Sequence, residues 1–165
     1  MRIKLSEINL GFKNRSFKIL SKDLPERGIV YKNDWITGNI SLENENKYYR
    51  IIGKLNAKTI YICVRCVKNF SFKIVQKVNI LILPDTESYT NEKNIDFVRI
   101  NKSNNYVDLS NAFADLIALS EPLKPLCHEK CTGICYYCGI QKTNHCSCED
   151  SKDTSIWDNL KKVNI

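Results

Sequence analysis

The sequence predicts an α+β fold, in which an antiparallel β-rich sheet or small barrel carries one or two short helices and a C-terminal cysteine-rich module. Three observations lead to this prediction. Apolar and polar residues alternate with a period of two in the first half of the chain, and a segment near residue 110 has the spacing of an amphipathic helix. Six of the eight cysteines lie between Cys127 and Cys148. At 165 residues, the chain is long enough to bury a hydrophobic core of its own.

The alternation predicts a long antiparallel hairpin whose turn contains Cys63 and Cys66. The odd positions of residues 49–63 are mainly apolar and the even positions mainly polar, as in a strand with one buried face. After the turn the even positions are expected to point inward, namely Phe70, Phe72, Ile74, Val78, Ile80 and Ile82. An earlier strand is expected to bury Ile36, Gly38, Ile40 and Leu42. Partner strands are expected at residues 17–20 and 29–32.

A helix is expected to follow a short strand at residues 97–100. Ser110 is the candidate N-cap, and Pro122 and Pro125 end the helix. Its apolar stripe consists of Leu109, Phe113, Leu116 and Ile117. A second amphipathic helix is expected near the end of the chain, with one side formed by Trp157, Leu160 and Val163. We therefore divide the chain into a β-rich basic domain (1–109) and a helix with the cysteine-rich module (110–165), which are expected to form one cooperative unit.

The cysteines occur as four closely spaced pairs, and this spacing is typical of tetrahedral zinc sites. Each pair supplies two thiolates from one tight turn, so two pairs complete a four-cysteine shell. We predict one or two structural Zn(II) ions, held by Cys63, Cys66, Cys127, Cys131, Cys135, Cys138, Cys146 and Cys148. A disulfide framework is the alternative, but the first residues lack the continuous apolar stretch of a signal peptide. No apolar run is long enough to span a membrane, so we expect a soluble cytoplasmic protein.

The spacing leaves two groupings of the pairs open. In the first, the last two pairs form one site, and the first two pairs form another that ties the hairpin turn to the C-terminal module. In the second, the middle two pairs form one site and the outermost two the other. His128 and His145 are less favoured ligands because eight thiols are available.

The cysteine pattern argues against catalysis. A four-thiolate site leaves no position open for a reacting water, and the sequence lacks a metalloenzyme helix motif, so we predict that the protein is not an enzyme. A redox pair at Cys63 and Cys66 is a less favoured alternative. Arg65 would lower a neighbouring thiol pKa there, but strand patterning continues on both sides without the helix that such a motif needs.

Basic residues suggest a nucleic-acid interface. The formal net charge is +7, and the excess of lysine and arginine lies in residues 1–80. The candidate contacts are Arg50, Lys54, Lys58, Arg65, Lys73 and Lys77. Most of them fall on the outward rows of the predicted hairpin, where cations can follow phosphates by releasing counterions. The alternative is that these lysines only keep a wet sheet face soluble and blunt its edges.

The string VDLSNAFADLIALSEPLKPLCHEKCTGICYYCG, followed by CSC, resembles the YceD-type large ribosomal RNA subunit accumulation proteins. Cysteine-bearing members of that family show a CxRC pair, an aspartate-leucine segment that opens a helix, a PLC-x3-C-x-G-x-C-x-x-CG module and a terminal C-x-C. The matching residues here are Cys63, Arg65, Cys66, Asp108, Leu109, Pro125, Leu126, Cys127, Cys131, Gly133, Cys135, Cys138, Gly139, Cys146 and Cys148. The chain departs from the family pattern at residues 141–144 and 155–157.

The resemblance implies a protein needed for the accumulation of large-subunit ribosomal RNA, without known catalytic activity. It implies that the partner is large-subunit ribosomal RNA or its precursor, or a ribosomal protein. Neither a membrane nor a small-molecule substrate is expected. The residues alone leave a zinc-stabilised protein–protein adaptor open as the alternative function.

Overall fold

The structure is a computed structural model that describes residues 1–45, 48–84, 96–100, 105–142, 146 and 148. In chain order the elements are β1 (Arg2–Lys4), α1 (Leu5–Leu10), β2 (Phe12–Leu20), a 3-10 turn (Ser21–Asp23), β3 (Trp35–Glu45), β4 (Tyr48–Ile62), β5 (Asn69–Pro84), β6 (Asp96–Ile100), β7 (Tyr106–Asp108) and α2 (Ser110–Leu119). The C-terminal helix expected around Trp157 lies outside the described residues.

Five strands form the main sheet in the order β2-β3-β4-β5-β6, and β1 pairs with β7 in a separate two-stranded ribbon. Strands β2 to β5 are antiparallel neighbours, whereas β6 runs parallel to β5. The predicted α+β fold with an antiparallel-rich sheet is confirmed. The barrel alternative is not observed, because β2 and β6 remain the two edges of the sheet among the described strands.

The predicted hairpin is β4–β5, which pairs continuously from Ile62↔Asn69 to Tyr49↔Ile82. Its inward rows are buried as expected, with Ile51, Leu55, Ala57, Tyr61, Ile74, Val78, Ile80 and Ile82 in the interior. Phe70 is only partly buried, and Phe72 is 37% exposed. Its ring lies near the hairpin turn and packs on Tyr61 at 5.9 Å, outside the main core cluster.

Helix α2 covers the inward face of the sheet. Phe113 is fully buried and stacks on Phe17 of β2, with the ring centroids 5.3 Å apart. Phe17 lies directly over Gly38 of β3, where a Cβ would be 2.6 Å from the Phe17 ring. Because Gly38 has no side chain, there is room for the Phe17 ring above it, and this ring makes the contact between the edge strand β2 and helix α2.

Two local expectations need correction. Residues 29–32 form only an isolated bridge, Tyr31↔Thr59, and not a strand. Ser110 is the first residue of α2 and not its N-cap, because the N-cap position is occupied by Leu109. The backbone N–H of Ser110 donates to Asp108 Oδ1 at 2.9 Å. The sequence pattern also missed α1 and the β1–β7 ribbon, whose segments are too short to show periodicity.

The division of the chain at residue 109 remains a prediction. Residues of α2 belong to the same buried cluster as residues of β1 to β5. The side chain of Leu109, immediately before the helix, is fully buried in that cluster.

Asp108 joins the ribbon to the helix. Besides accepting from Ser110, its carboxylate accepts a hydrogen bond from Arg2 Nε at 3.1 Å. Burial would raise the pKa of Asp108, but the hydrogen bonds from Ser110 and Arg2 hold the pKa of this carboxyl well below its usual range. The ionised form of Asp108 therefore stabilises the folded state.

We expect Asp108→Ala to lower the free energy of unfolding by about 1 kcal/mol at neutral pH, as the loss of a helix cap does. Because the folded-state pKa is lowered, the contribution is present above the ordinary carboxyl pKa of about 4 and is lost as the pH falls below it. Urea unfolding should show the difference shrinking with acidification. Asp115→Ala is the matched control, since Asp115 is an exposed residue of helix α2 whose ion pair with Arg27 lies at the surface. Equal destabilisation by the two variants would contradict the capping role.

Candidate metal centres and a basic sheet face

The first candidate metal centre, here called the junction cluster, consists of Cys63, Cys66, Cys127 and Cys131. Its four sulfurs lie within 4.8 Å of one another. The Sγ atoms of Cys63 and Cys131 are 3.8 Å apart, and those of Cys66 and Cys127 are 3.6 Å apart. A tetrahedron with metal–sulfur bonds of about 2.3 Å has edges of about 3.8 Å. The sulfurs therefore already have the spacing of a tetrahedral metal shell.

Backbone hydrogen bonds hold the hairpin turn in the shape that the junction cluster needs. Val67 donates its N–H to the carbonyl of Cys63 at 2.9 Å, and Cys63 donates to the carbonyl of Lys68 at the same distance. Val67 adopts a positive φ of 58°, which is uncommon for a β-branched residue. This tight turn places both thiols of the CxRC pair on one side.

The segment after α2 is fastened directly to that turn. The N–H of Val64 donates to the carbonyl of Pro125 at 3.0 Å, and the guanidinium of Arg65 donates to the carbonyl of Cys131 at 2.9 Å. Gly133 adopts a φ of 80° and lies close to Arg65, whose carbonyl oxygen would be 3.1 Å from a Cβ at this position. Arg65 thus acts as a bracket between the turn and the module.

The polar environment of the junction cluster favours the thiolate of Cys63, while the pKa values of Cys127 and Cys131 are raised. Burial alone would raise the pKa of Cys63, but the backbone N–H groups of Cys127, Cys66 and Arg65 lower it to about 6. Burial and the neighbouring thiols, that of Cys66 foremost, raise the pKa of Cys127 to about 12. Several thiolates at this distance repel one another, so deprotonation of all four thiols is unfavourable in the absence of a cation. A bound cation would compensate this repulsion.

The second centre, here called the distal cluster, consists of Cys135, Cys138, Cys146 and Cys148. The Sγ atoms of Cys138 and Cys146 are 3.7 Å apart. Cys135 and Cys138 belong to a knuckle in which Gly139, with a φ of 70°, donates its N–H to the carbonyl of Cys135 at 2.8 Å. The N–H groups of Cys138 and Tyr137 lower the pKa of Cys135 to about 6. Cys138 is exposed, so this centre is less enclosed than the junction cluster.

The structure brings together the first of the two groupings that the spacing allowed. Both clusters are four-thiol sites that are positioned to bind a metal ion and are compatible with zinc. His128 is exposed and belongs to neither cluster, while His145 lies outside the described residues. A metal bound by four thiolates has no open position for substrate, so the arrangement suits a structural role.

Four of the proposed nucleic-acid contacts lie side by side on the outer face of the β4–β5 hairpin. Lys54 pairs directly with Lys77, and Lys58 pairs directly with Lys73. All four side chains are exposed. We call these four residues the lysine face.

The two arginines among the candidates lie elsewhere. Arg50 is at the far end of the hairpin, where Glu45 is 3.6 Å from its guanidinium and Asn79 accepts a hydrogen bond from it at 3.0 Å. Arg65 is engaged with the backbone of the cysteine module. Neither belongs to the lysine face.

Two residues of the neighbouring strands extend this face and were not singled out from the sequence. Lys18 of β2 lies with its Nζ 4.0 Å from the centre of the Trp35 ring, at the start of β3. The alternation in residues 35–42 places Trp35 on the face opposite the buried Ile36, so the sequence pattern could have identified Trp35 as an outward-facing residue. The register between β2 and β3, which brings Lys18 to Trp35, is not visible in the sequence.

The fold and the clusters define a class: an α+β protein with an open sheet and two four-cysteine clusters that are positioned to bind a metal ion. Within this class the chain belongs to the YceD family, since residues 51–164 match the family model described as "Large ribosomal RNA subunit accumulation protein YceD". The matched segment contains both clusters and the lysine face, which confirms the resemblance noted from the motifs. No curated protein and no solved structure matches the chain. Over the described part of the chain, none of the helices has the length and apolar character needed to cross a membrane.

Removal of one ligand from each cluster should have unequal consequences. In the junction cluster the facing cysteines are 61 and 68 residues apart in the chain, whereas Cys138 and Cys146 are 8 apart. Loop-closure entropy grows with the logarithm of loop length. We therefore expect a metal at the junction cluster to stabilise the fold by about 2 kcal/mol more than a metal at the distal cluster. We expect Cys63→Ser to lower the free energy of unfolding more than the matched variant Cys138→Ser.

Metal analysis by mass spectrometry checks the premise of that comparison. The wild-type chain should carry one ion for each of the two clusters, and either variant should lose one of them. Equal loss of stability in the two variants would show that the junction cluster does not cross-link distant segments. Unchanged metal content in either variant would show that the substituted cysteine is not a ligand.

Proposed function

We propose that this protein is a non-enzymatic, cytoplasmic ribosome-assembly factor that supports the accumulation of large-subunit ribosomal RNA. In this proposal the lysine face binds large-subunit ribosomal RNA or its precursor. Both cysteine clusters hold structural Zn(II). The family description supports the ribosomal part of the proposal, and the geometry of the sheet supports the RNA part.

The observation that carries the proposal is the pairing of like charges on the lysine face. Lys54 lies opposite Lys77 and Lys58 lies opposite Lys73 in adjacent strands. Like charges directly opposite each other destabilise a sheet. Solubility alone would be served equally by alternating lysine with glutamate. An anionic partner that spans both pairs supplies the compensation that the sheet itself lacks.

Within the described residues, no carboxylate pairs with the lysine face. Among the ion pairs of the described residues, none involves Lys54, Lys58, Lys73 or Lys77. By contrast, Arg2, Arg15, Arg27 and Arg50 each have a carboxylate partner. The four ammonium groups are therefore available to phosphates, and they lie in two rows four residues apart, about 13 Å along the strands.

Zinc fits the clusters by ligand type and geometry. In each cluster the four sulfurs lie within 4.8 Å of one another, and the facing pairs are separated by 3.6 to 3.8 Å. Four thiolates at this spacing suit a tetrahedral ion that prefers soft ligands. Bound zinc would supply a rigid cross-link and no reaction centre. The chain's own residues do the positioning: the CxRC turn, the Arg65 bracket and the Gly139 knuckle present the thiols.

A protein–protein adaptor is the second candidate, because the distal cluster carries exposed apolar side chains. Ile134, Tyr136 and Ile140 are all exposed beside the knuckle. Such a surface would suit a ribosomal protein. Thiol redox activity is disfavoured, since Cys63 and Cys66 each face a thiol of another pair inside a four-sulfur cluster.

Replacement of the lysine face should weaken RNA binding and change its salt dependence. If each of the four lysines contacts one phosphate of a single strand, the quadruple variant K54A/K58A/K73A/K77A should lower the slope of log affinity against log salt by about 3. The control K4A/K68A/K124A/K130A removes the same charge from exposed lysines elsewhere. Filter binding over a series of salt concentrations measures both. Identical slopes for the two variants would remove the lysine face from the interface.

Depletion of the protein from its own cells tests the ribosomal role. We expect a sedimentation profile with fewer large subunits, a loss of large-subunit ribosomal RNA and unaffected small subunits. Wild-type protein and the K4A/K68A/K124A/K130A control should restore the profile, whereas the lysine-face variant should not. An unchanged profile after depletion would remove the ribosomal function and leave the adaptor. Full rescue by the lysine-face variant would instead place the essential contact elsewhere, with the exposed apolar surface of the distal cluster as the next region to test.

A further inference from the structure

We propose that the RNA bound by this sheet is single-stranded and that Trp35 stacks on one of its unpaired bases. The inference rests on the proposed function, because it names the form of RNA that the lysine face and its neighbouring residues accept. It adds a binding site that the charge pattern alone does not indicate.

Trp35 is placed where an extended polyanion on the lysine face would meet it. The residue is the first of β3, and its side chain is 43% exposed. A groove of about 450 Å³ opens beside it, with Lys58 and Lys73 of the lysine face among its walls. This volume is within the range of pockets that hold small organic ligands, and a nucleotide is such a ligand.

The cation beside the Trp35 ring supports a nucleotide as the occupant. The ammonium of Lys18 lies 4.0 Å from the ring centre, and Lys18 also lines the groove. The groove thus combines one exposed aromatic ring with three lysines. A base offers a π-face to the ring and its phosphate offers a negative charge to the lysines, which is the combination used by proteins that bind single strands.

A second groove continues the path along the sheet. It has a volume of about 460 Å³, shares Asn56 with the first groove and includes Lys54 of the lysine face. From Trp35 to Ser41, both groove-lining residues of β3, the path covers six residues and therefore about 20 Å. This is a track for a segment of several nucleotides rather than a site for one mononucleotide.

The lining of both grooves suits bases that are not paired. Asn14, Asn33, Asn39 and Asn56 line them. Asn39 Nδ2 donates to Asn14 Oδ1 at 3.0 Å, and each of these two amides keeps a further donor and acceptor position for a base. In an A-form duplex the bases are stacked inside and their pairing edges are occupied, so neither Trp35 nor these amides could reach them. Only an unpaired strand uses the whole set of groups.

Tryptophan fluorescence gives a direct test, because the chain contains two tryptophans, Trp35 and Trp157. In a Trp157→Phe background the signal comes from Trp35 alone. The zinc-loaded full chain is titrated with a short single-stranded RNA and with a blunt duplex of the same length. We expect the single strand to quench Trp35 on binding and the duplex to bind without quenching it.

Affinity measurements on two substitutions complete the test. Trp35→Leu should weaken single-strand binding by about tenfold, the size of one lost base–aromatic stack, and should leave duplex binding unchanged. Trp35→Phe, which keeps a ring, should recover most of the loss. Phe97→Leu is the matched control, since Phe97 is an exposed aromatic on β6 with the Arg99 guanidinium 5.9 Å from its ring. It should leave single-strand affinity unchanged.

The outcomes separate this inference from the proposed function. If the single strand binds without quenching Trp35, or if duplex and single strand bind equally well, the base-stacking site is wrong while the lysine face stands. If neither RNA binds at low salt, the proposed function falls together with the inference. Because the quenching is measured with Trp35 intact, the conclusion does not depend on the folding of the Trp35 variants.

Discussion

The convergence of four sulfurs in the junction cluster is the constraint on which the described arrangement of the cysteine module depends. A second, small group of buried residues surrounds this cluster. Its buried members are Cys63, Cys66 and Cys131, and among the described residues Phe70, Leu126 and Cys127 pack against them. So few apolar groups provide little hydrophobic stabilisation compared with the main core. The tip of the hairpin is therefore held to the chain after α2 by thiols, by the Arg65 bracket and by two backbone hydrogen bonds.

The β4–β5 hairpin has three structural roles. Two of them arise because the side chains of a strand alternate between its two faces, and the third belongs to the turn. The inner row enters the core under α2, where Leu55 and Ile80 are fully buried. The outer row forms the lysine face. The turn presents Cys63 and Cys66 to the module. One long, regular element thus sets the distance between the lysine face and the junction cluster.

The outer sheet surface differs from an ordinary solvated face in its charge arrangement and in its aromatic residue. Lysines face lysines across strands, and a partly exposed tryptophan lies under a further lysine at the edge. The lysine pairs are unfavourable for the isolated fold, whereas the contact between Lys18 and Trp35 is a favourable cation–π interaction. Together they match a ligand with repeated negative charge and planar rings, and the YceD family description names a role that concerns ribosomal RNA.

The sequence by itself determined the hairpin and helix α2, because both follow from local periodicity. It also identified the eight cysteines as candidate metal ligands, because each closely spaced pair lies within one turn. It also identified the family, since motif order is a linear property. The tertiary structure alone decided which cysteine pairs meet, because the loops that separate them impose no geometry of their own. It alone decided that the sheet remains open and that β6 runs parallel to β5. The meeting of Lys18 with Trp35 depends in the same way on the register between two strands, which is set by packing against the core and not by either segment.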